Sequence, residues 1–108
     1  MDEQEFKRAA DRALADLDRR LSGAAEEHGF DVDFSSGALA IEFDDPPGKF
    51  VVSPNTPVRQ IWVSAHSRSF KLDWTPAREA FVLNETGQTL AELVADAVSR
   101  QTGEEVTL

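Results

Sequence analysis

Carboxylates dominate the side chains able to do chemistry in this sequence. Asp11 and Asp18 stand seven residues apart, which puts them on one face of a helix. Glu26 and Glu27 follow, and Asp31 and Asp33 alternate with apolar residues like the outward side chains of a strand. Carboxylates clustered without histidine or thiolate offer only hard oxygen ligands, which suits weak, hydrated binding of hard cations. The same spacing fits a solvated charged face, and Arg19 and Arg20 interrupt the run and lower its pull on cations. A second group is of another kind. In "NTPVRQIWVS" a strand places Arg59, Ile61, Val63 and Ala65 on one side and Gln60, Trp62, Ser64 and His66 on the other. Ile61 and Val63 mark the buried side. Trp62 then points among polar neighbours, either half-covered by its cross-strand neighbours or as an anchor for a protein partner.

Signatures of catalysis are missing. His28, in an expected loop, and His66, at a strand end, have no metal-ligand spacing between them and read as solvated side chains. There is no glycine-rich phosphate loop and no nucleophile elbow, and Ser64 and Ser67 carry no sign of a paired base. The absence of cysteine removes disulfides, thiolate metal sites and thiol catalysis. No enzyme is expected. The net charge of −9 is lopsided: residues 1–45 carry 13 acids and 5 bases, whereas residues 46–108 carry 7 and 6. That balance disfavours nucleic acid and anionic membranes and favours cations or basic proteins. "MDEQEFKRAAD" is no signal peptide and no apolar run reaches membrane-spanning length, so a cytoplasmic protein is expected.

The elements that must position these residues follow from periodicity. Phe6, Ala10, Ala13, Leu14, Leu17 and Leu21 form one helical stripe, which Ser22-Gly23 begins to break and "EEHG" ends. "FDVDF" alternates Phe30, Val32 and Phe34 inward with Asp31 and Asp33 outward, and "ALAIEF" sets Leu39, Ile41 and Phe43 inward. "DDPPG" reads as a turn, "KFVVS" as a strand and "PNTP" as a loop before the Trp62 strand. In "SFKLDW", Phe70, Leu72 and Trp74 share a face, with a buried Trp74 expected, while Lys71 and Asp73 take the other. "AFVL" reads as a short sixth strand, although "TPAREA" before it also suits a helical turn. Thr89 and Glu92 fit a capping box, followed by the stripe Leu90, Leu93, Val94, Ala97 and Val98 and a stop at Thr102-Gly103. The expectation is an α+β two-layer sandwich spanning residues 1–108 as a single domain. Its N- and C-terminal helices cover one face of a five- to six-stranded antiparallel sheet, and the other face stays in water.

"EFKRAADRALADLDRRL", "GALAIEF", "PNTPVRQIWVSA" and "GQTLAELVADAV" together resemble the bacterial frataxins, in order and over nearly the whole chain. The most specific stretch is "TPVRQIWVS". The resemblance implies the same two-helix, open-sheet architecture and a role in iron–sulfur cluster assembly. It implies weak iron binding on an acidic ridge, with Asp11, Asp18, Glu27, Asp31 and Asp33 at the ridge positions; Glu26 joins them as a candidate ligand from its place in the acidic run. It also implies docking onto a pyridoxal-phosphate cysteine desulfurase and its scaffold protein, with Gln60 and Trp62 at the contact positions; alternation puts Ser64 on the same face. Such a protein regulates sulfur transfer rather than catalysing it, as a monomer or as iron-dependent oligomers. Two departures stand out. Arg19, Ser22, Gly23 and Ala25 occupy a region usually richer in acids, and "AREAFVL" has Phe81 where a late-strand tryptophan is often found.

Readings from other classes remain beside this one. An acidic adaptor that mimics nucleic acid toward a basic protein fits the charge, but it has no use for an exposed Gln60–Trp62 face. An iron oxidase working through the carboxylates would lack histidine ligands and a dedicated cage.

Overall fold

The computed structural model describes residues 1–108. Helix α1 spans Glu3–His28. It starts with a capping box, in which the Asp2 side chain accepts from the Glu5 N–H and Glu5 reaches back to the Asp2 N–H. The Glu5 N–H holds the Asp2 carboxyl below its ordinary pKa. The helix does not break at Ser22-Gly23. A glycine inside a helix costs only about 1 kcal/mol, and the apolar stripe continues past it through Ala24 and Ala25, which pack on the core. The chain leaves the helix at Gly29, whose left-handed φ of 70° lets its N–H cap the Ala25 carbonyl.

Seven strands follow: β1 Asp31–Ser35, β2 Ala38–Asp44, β3 Pro47–Asn55, β4 Gln60–Ala65, β5 Arg68–Thr75, β6 Ala80–Leu83 and β7 Gln88–Thr89. They form one sheet in sequence order, every neighbouring pair antiparallel. The expected five or six strands are thus exceeded by β7, two residues long and too short to leave a period-two pattern. β3 is longer than "KFVVS", because Pro47 opens it opposite Asp44 and Pro54 and Asn55 still pair with Ile61 and Gln60. The expected "PNTP" loop contracts to a short 3-10 turn at Thr56–Val58. Arg59, expected on the inner face, instead ends this turn in the left-handed region and donates to the Thr56 carbonyl. "TPAREA" forms a tight turn in which the Arg78 N–H bonds the Thr75 carbonyl, and it leads into β6.

Helix α2 spans Leu90–Thr102, with the Thr89–Glu92 capping box at its start and Gly103 as its left-handed cap. Thr89 holds the Glu92 carboxyl below its ordinary pKa, chiefly through its backbone N–H. Beyond α2 the chain folds back. Val106 exchanges hydrogen bonds with the Ser99 hydroxyl and is buried. α1 packs against β1 to β3 and α2 against β6 and β7, so both helices cover the same sheet face. Their stripes and the inward residues of the strands form one cluster of 22 buried residues. At its centre Phe81 meets Phe6 edge-on at 5.8 Å and Trp74 at 5.1 Å. Trp74 itself is only half-buried, contrary to the expectation of full burial. It borders an open groove of about 1020 Å³ between α1 and the start of α2.

Candidate functional site

Strand alternation decides which residues the helices leave uncovered. On β4, Ile61, Val63 and Ala65 are buried in the core, so Gln60, Trp62 and Ser64 project from the opposite face. Register then supplies their neighbours. Trp62 lies between Ser53 on β3 and Lys71 on β5, Gln60 between Asn55 and Asp73, and Ser64 between Val51 and Ser69. Asp73 in turn lies opposite Val82 on β6. Val82 is the one buried residue outside the main core cluster, so the open face has a small apolar floor of its own.

Above that floor the polar groups form a chain. The Trp62 indole Nε1–H donates to Gln60 Oε1 at 3.0 Å, and Gln60 Nε2 donates to Asp73 Oδ1 at 3.1 Å. Asn84, just past β6, donates from Nδ2 to Asp73 Oδ2 at 3.0 Å. Lys71 Nζ sits 4.9 Å from the Trp62 ring centroid, a cation–π contact worth about 0.5–1 kcal/mol at an exposed position. Trp62 is therefore partly buried, with some of its ring open to solvent and its N–H already satisfied. The reading of Trp62 as partly covered by its neighbours describes it: Gln60 and Lys71 hold the ring, and part of it stays accessible. His66 does not extend this face. It lies in the two-residue turn between β4 and β5, with its ring edge against Phe50 at 5.0 Å.

The carboxylates occupy a different border. β1 is an edge strand and α1 packs against it, so the six acids are carried on two neighbouring elements, Asp11, Asp18, Glu26 and Glu27 on α1 and Asp31 and Asp33 on β1. Glu26 and Glu27 are on the last turns of α1 rather than in an exit loop. Asp31 and Asp33, however, face away from α1, because Val32 and Phe34 are the β1 residues packed on the core. The helix acids and the strand acids thus belong to opposite faces of the sheet. Nowhere do three histidine or carboxylate side chains converge tightly enough to hold a metal ion. Arg19 and Arg20 do not neutralise this border, since both pair with Asp16, Arg20 Nε at 2.8 Å. Asp11, Asp18, Glu26 and Asp31 make no ion pair. Glu27 lies 3.6 Å from His28 Nε2, and Asp33 accepts from the Ser35 hydroxyl at 3.1 Å. His28 is not solvated: its side chain is 17% exposed and bonds Glu104 at 2.8 Å through Nδ1, tying α1 to the chain beyond α2.

With the geometry in place, the chain can be set beside known proteins. A family model described as "Frataxin-like domain" matches residues 1–104. The chain belongs to the frataxin-like family. A protein of Azotobacter vinelandii named "Iron-sulfur cluster assembly protein CyaY" is 31% identical over 95 residues, 86% of each chain. A Tolumonas auensis protein of the same name is 33% identical over 78 residues, 72% of each chain. The solved structure of the frataxin from Psychromonas ingrahamii superposes with a TM-score of 0.78 at 21% identity, covering 99% of this chain and 97% of that one. That last likeness bears on the fold, which it shares.

Within this frataxin-like frame, periodicity missed the supporting residues. Glu42 pairs with Asp31 across β1 and β2 on the open face and adds to the acidic border, with Lys49 Nζ 3.9 Å from its carboxylate. Asp73 and Asn84 complete the Trp62 chain. Alternation did place Asp73 on the outward face. Its meeting with Gln60 depends on the β4–β5 register, which the turn at His66-Ser67 sets.

Proposed function

We propose that this frataxin-like protein is a binding regulator of iron–sulfur cluster assembly. It docks onto a cysteine desulfurase–scaffold complex and modulates sulfur transfer without itself catalysing it. Gln60, Trp62 and Ser64 form the contact surface, with Trp62 as its anchor. The observation that carries this reading is a tryptophan held in place on the uncovered face of the sheet. A large aromatic that is already ordered gives up little conformational freedom on docking, and it contributes heavily once the partner desolvates it. The curated relatives named for iron–sulfur cluster assembly support the choice of pathway.

Iron in this reading is cargo. Asp11, Asp18, Glu26, Glu27, Asp31 and Asp33 supply hard oxygen ligands, nearly all free of internal cations, which suits Fe(II) or Fe(III). Their lack of convergence fits weak, hydrated binding, not a coordination cage. The same negative border would steer the protein toward a basic partner surface. No organic cofactor is required by these roles.

Titration of the purified desulfurase–scaffold complex with wild type and Trp62→Ala tests the proposal. Saturable binding by the wild type, weakened about 30-fold or more in the variant, is the expected result for a central anchor. Failure of the wild type to bind the complex would sink it.

A further inference from the structure

The geometry points to Asp73 and Asn84 as positioning residues for the Trp62 docking surface, an inference that rests on the open face being where the partner binds. Gln60 has a donor end and an acceptor end, whereas an ionised carboxylate can only accept. Asp73 Oδ1 takes the Gln60 amide N–H at 3.1 Å, so Gln60 must turn its carbonyl oxygen the other way. There it meets the Trp62 indole N–H at 3.0 Å. Asp73 is itself held through its second oxygen by Asn84 at 3.0 Å. The polarity of the whole chain is therefore set by one carboxylate on β5 and one amide beyond β6.

This arrangement has a consequence for recognition. Because the indole N–H is satisfied within the chain, the partner site needs no acceptor for it. It has only to receive the exposed part of a ring that Gln60 and Lys71 already orient. The complementary partner surface is an apolar slot rather than a hydrogen-bonding one. Losing the relay frees the ring and exposes an N–H that such a slot would bury unpaired, a cost paid on docking. Asp73 and Asn84 thus act through Gln60 and Trp62.

Asp73→Ala removes the acceptor, while Asp73→Asn keeps one for Gln60 and can donate to an Asn84 amide turned about. The first measurement is hydrogen exchange of the Trp62 indole N–H in the free protein, with the two indole signals assigned using Trp74→Phe. The second is affinity for the desulfurase–scaffold complex. Asp73→Ala should speed indole exchange and weaken binding about three- to tenfold, in keeping with one net hydrogen bond. Asp73→Asn should restore both, and Asn84→Ala should shift both in the same direction by less. Wild-type exchange and affinity in Asp73→Ala would overturn the positioning role even if Trp62→Ala loses the partner. Weakened binding with unchanged exchange would also overturn it, since Asp73 would then touch the partner directly. Normal binding by Trp62→Ala would instead remove the docking reading, and indole exchange would still judge whether the relay holds the ring.

Discussion

At the β1 edge, carboxylates stand almost without partners, whereas on β4 and β5 each polar group around Trp62 is held by another. Of the six candidate acids on α1 and β1, only Glu27 comes near a basic group, and only Asp33 accepts a side-chain hydrogen bond. Around Trp62, by contrast, an indole, two amides, a carboxylate and an ammonium group make a continuous set of contacts. Unpaired surface charge acts at a distance, weakly and without fixed geometry, and salt screens it over about 10 Å. An ordered aromatic acts only at contact, but there it is specific. The two surfaces are therefore suited to different stages of one encounter: attraction at the acidic edge and retention at the tryptophan.

The sharpest way to break this comparison is to show that Trp62 belongs to the core. Phe81→Ala, at the centre of the aromatic cluster, should cost about 3–5 kcal/mol in urea denaturation. Trp74→Ala should cost about 2 kcal/mol, because the residue is only partly buried and lines the groove. Trp62→Ala should cost about 1 kcal/mol and leave no core cavity. A Trp62→Ala loss as large as that of Phe81→Ala would place the ring in the core and leave no contact surface.

Smaller in energy is the effect of charge reversal. Asp11→Lys combined with Asp18→Lys should slow association with the desulfurase–scaffold complex about tenfold at low salt and much less at high salt. Stopped-flow traces at two ionic strengths would decide it, and a salt-independent association rate would remove the steering role. The smallest effect on the protein itself should come from Asp18→Asn, Asp31→Asn and Asp33→Asn together. Stability should stay within about 0.5 kcal/mol of wild type, since Asp31 and Asp33 are exposed, Asp18 is partly so, and none of the three makes an ion pair. Fe(II)- or Co(II)-induced NMR shifts along α1 and β1 should disappear in that variant. Shifts that persist unchanged would locate the cation elsewhere.

Much of the architecture could be read from periodicity because burial enforces it. Leu14, Leu17 and Leu21 on α1, and Ile61 and Val63 on β4, fall where a stripe of period 3.6 and an alternation of two require. The misreadings share a cause: a strong local signal overruled by packing elsewhere. Gly23 looked like a helix end, but Ala24 and Ala25 still had a core to cover. His28 looked solvated because its partner Glu104 is 76 residues away. Trp74 sits on the buried face as alternation requires, yet nothing local indicated that α1 and α2 would leave a groove beside it. At the candidate site the facing direction of Trp62 was legible, and so were the acids. The relay through Asp73 and Asn84 was not, since it depends on two strand registers and a turn.

The central claim is that the acidic edge attracts and the tryptophan face retains. It is tested most directly by dissociation kinetics of Trp62→Ala from the immobilised desulfurase–scaffold complex, run beside the Asp11→Lys, Asp18→Lys variant. The account predicts dissociation about 30-fold faster for Trp62→Ala, equivalent to about 2 kcal/mol, with association little changed. For the charge-reversed variant it predicts the opposite division. A wild-type dissociation rate for Trp62→Ala would contradict it.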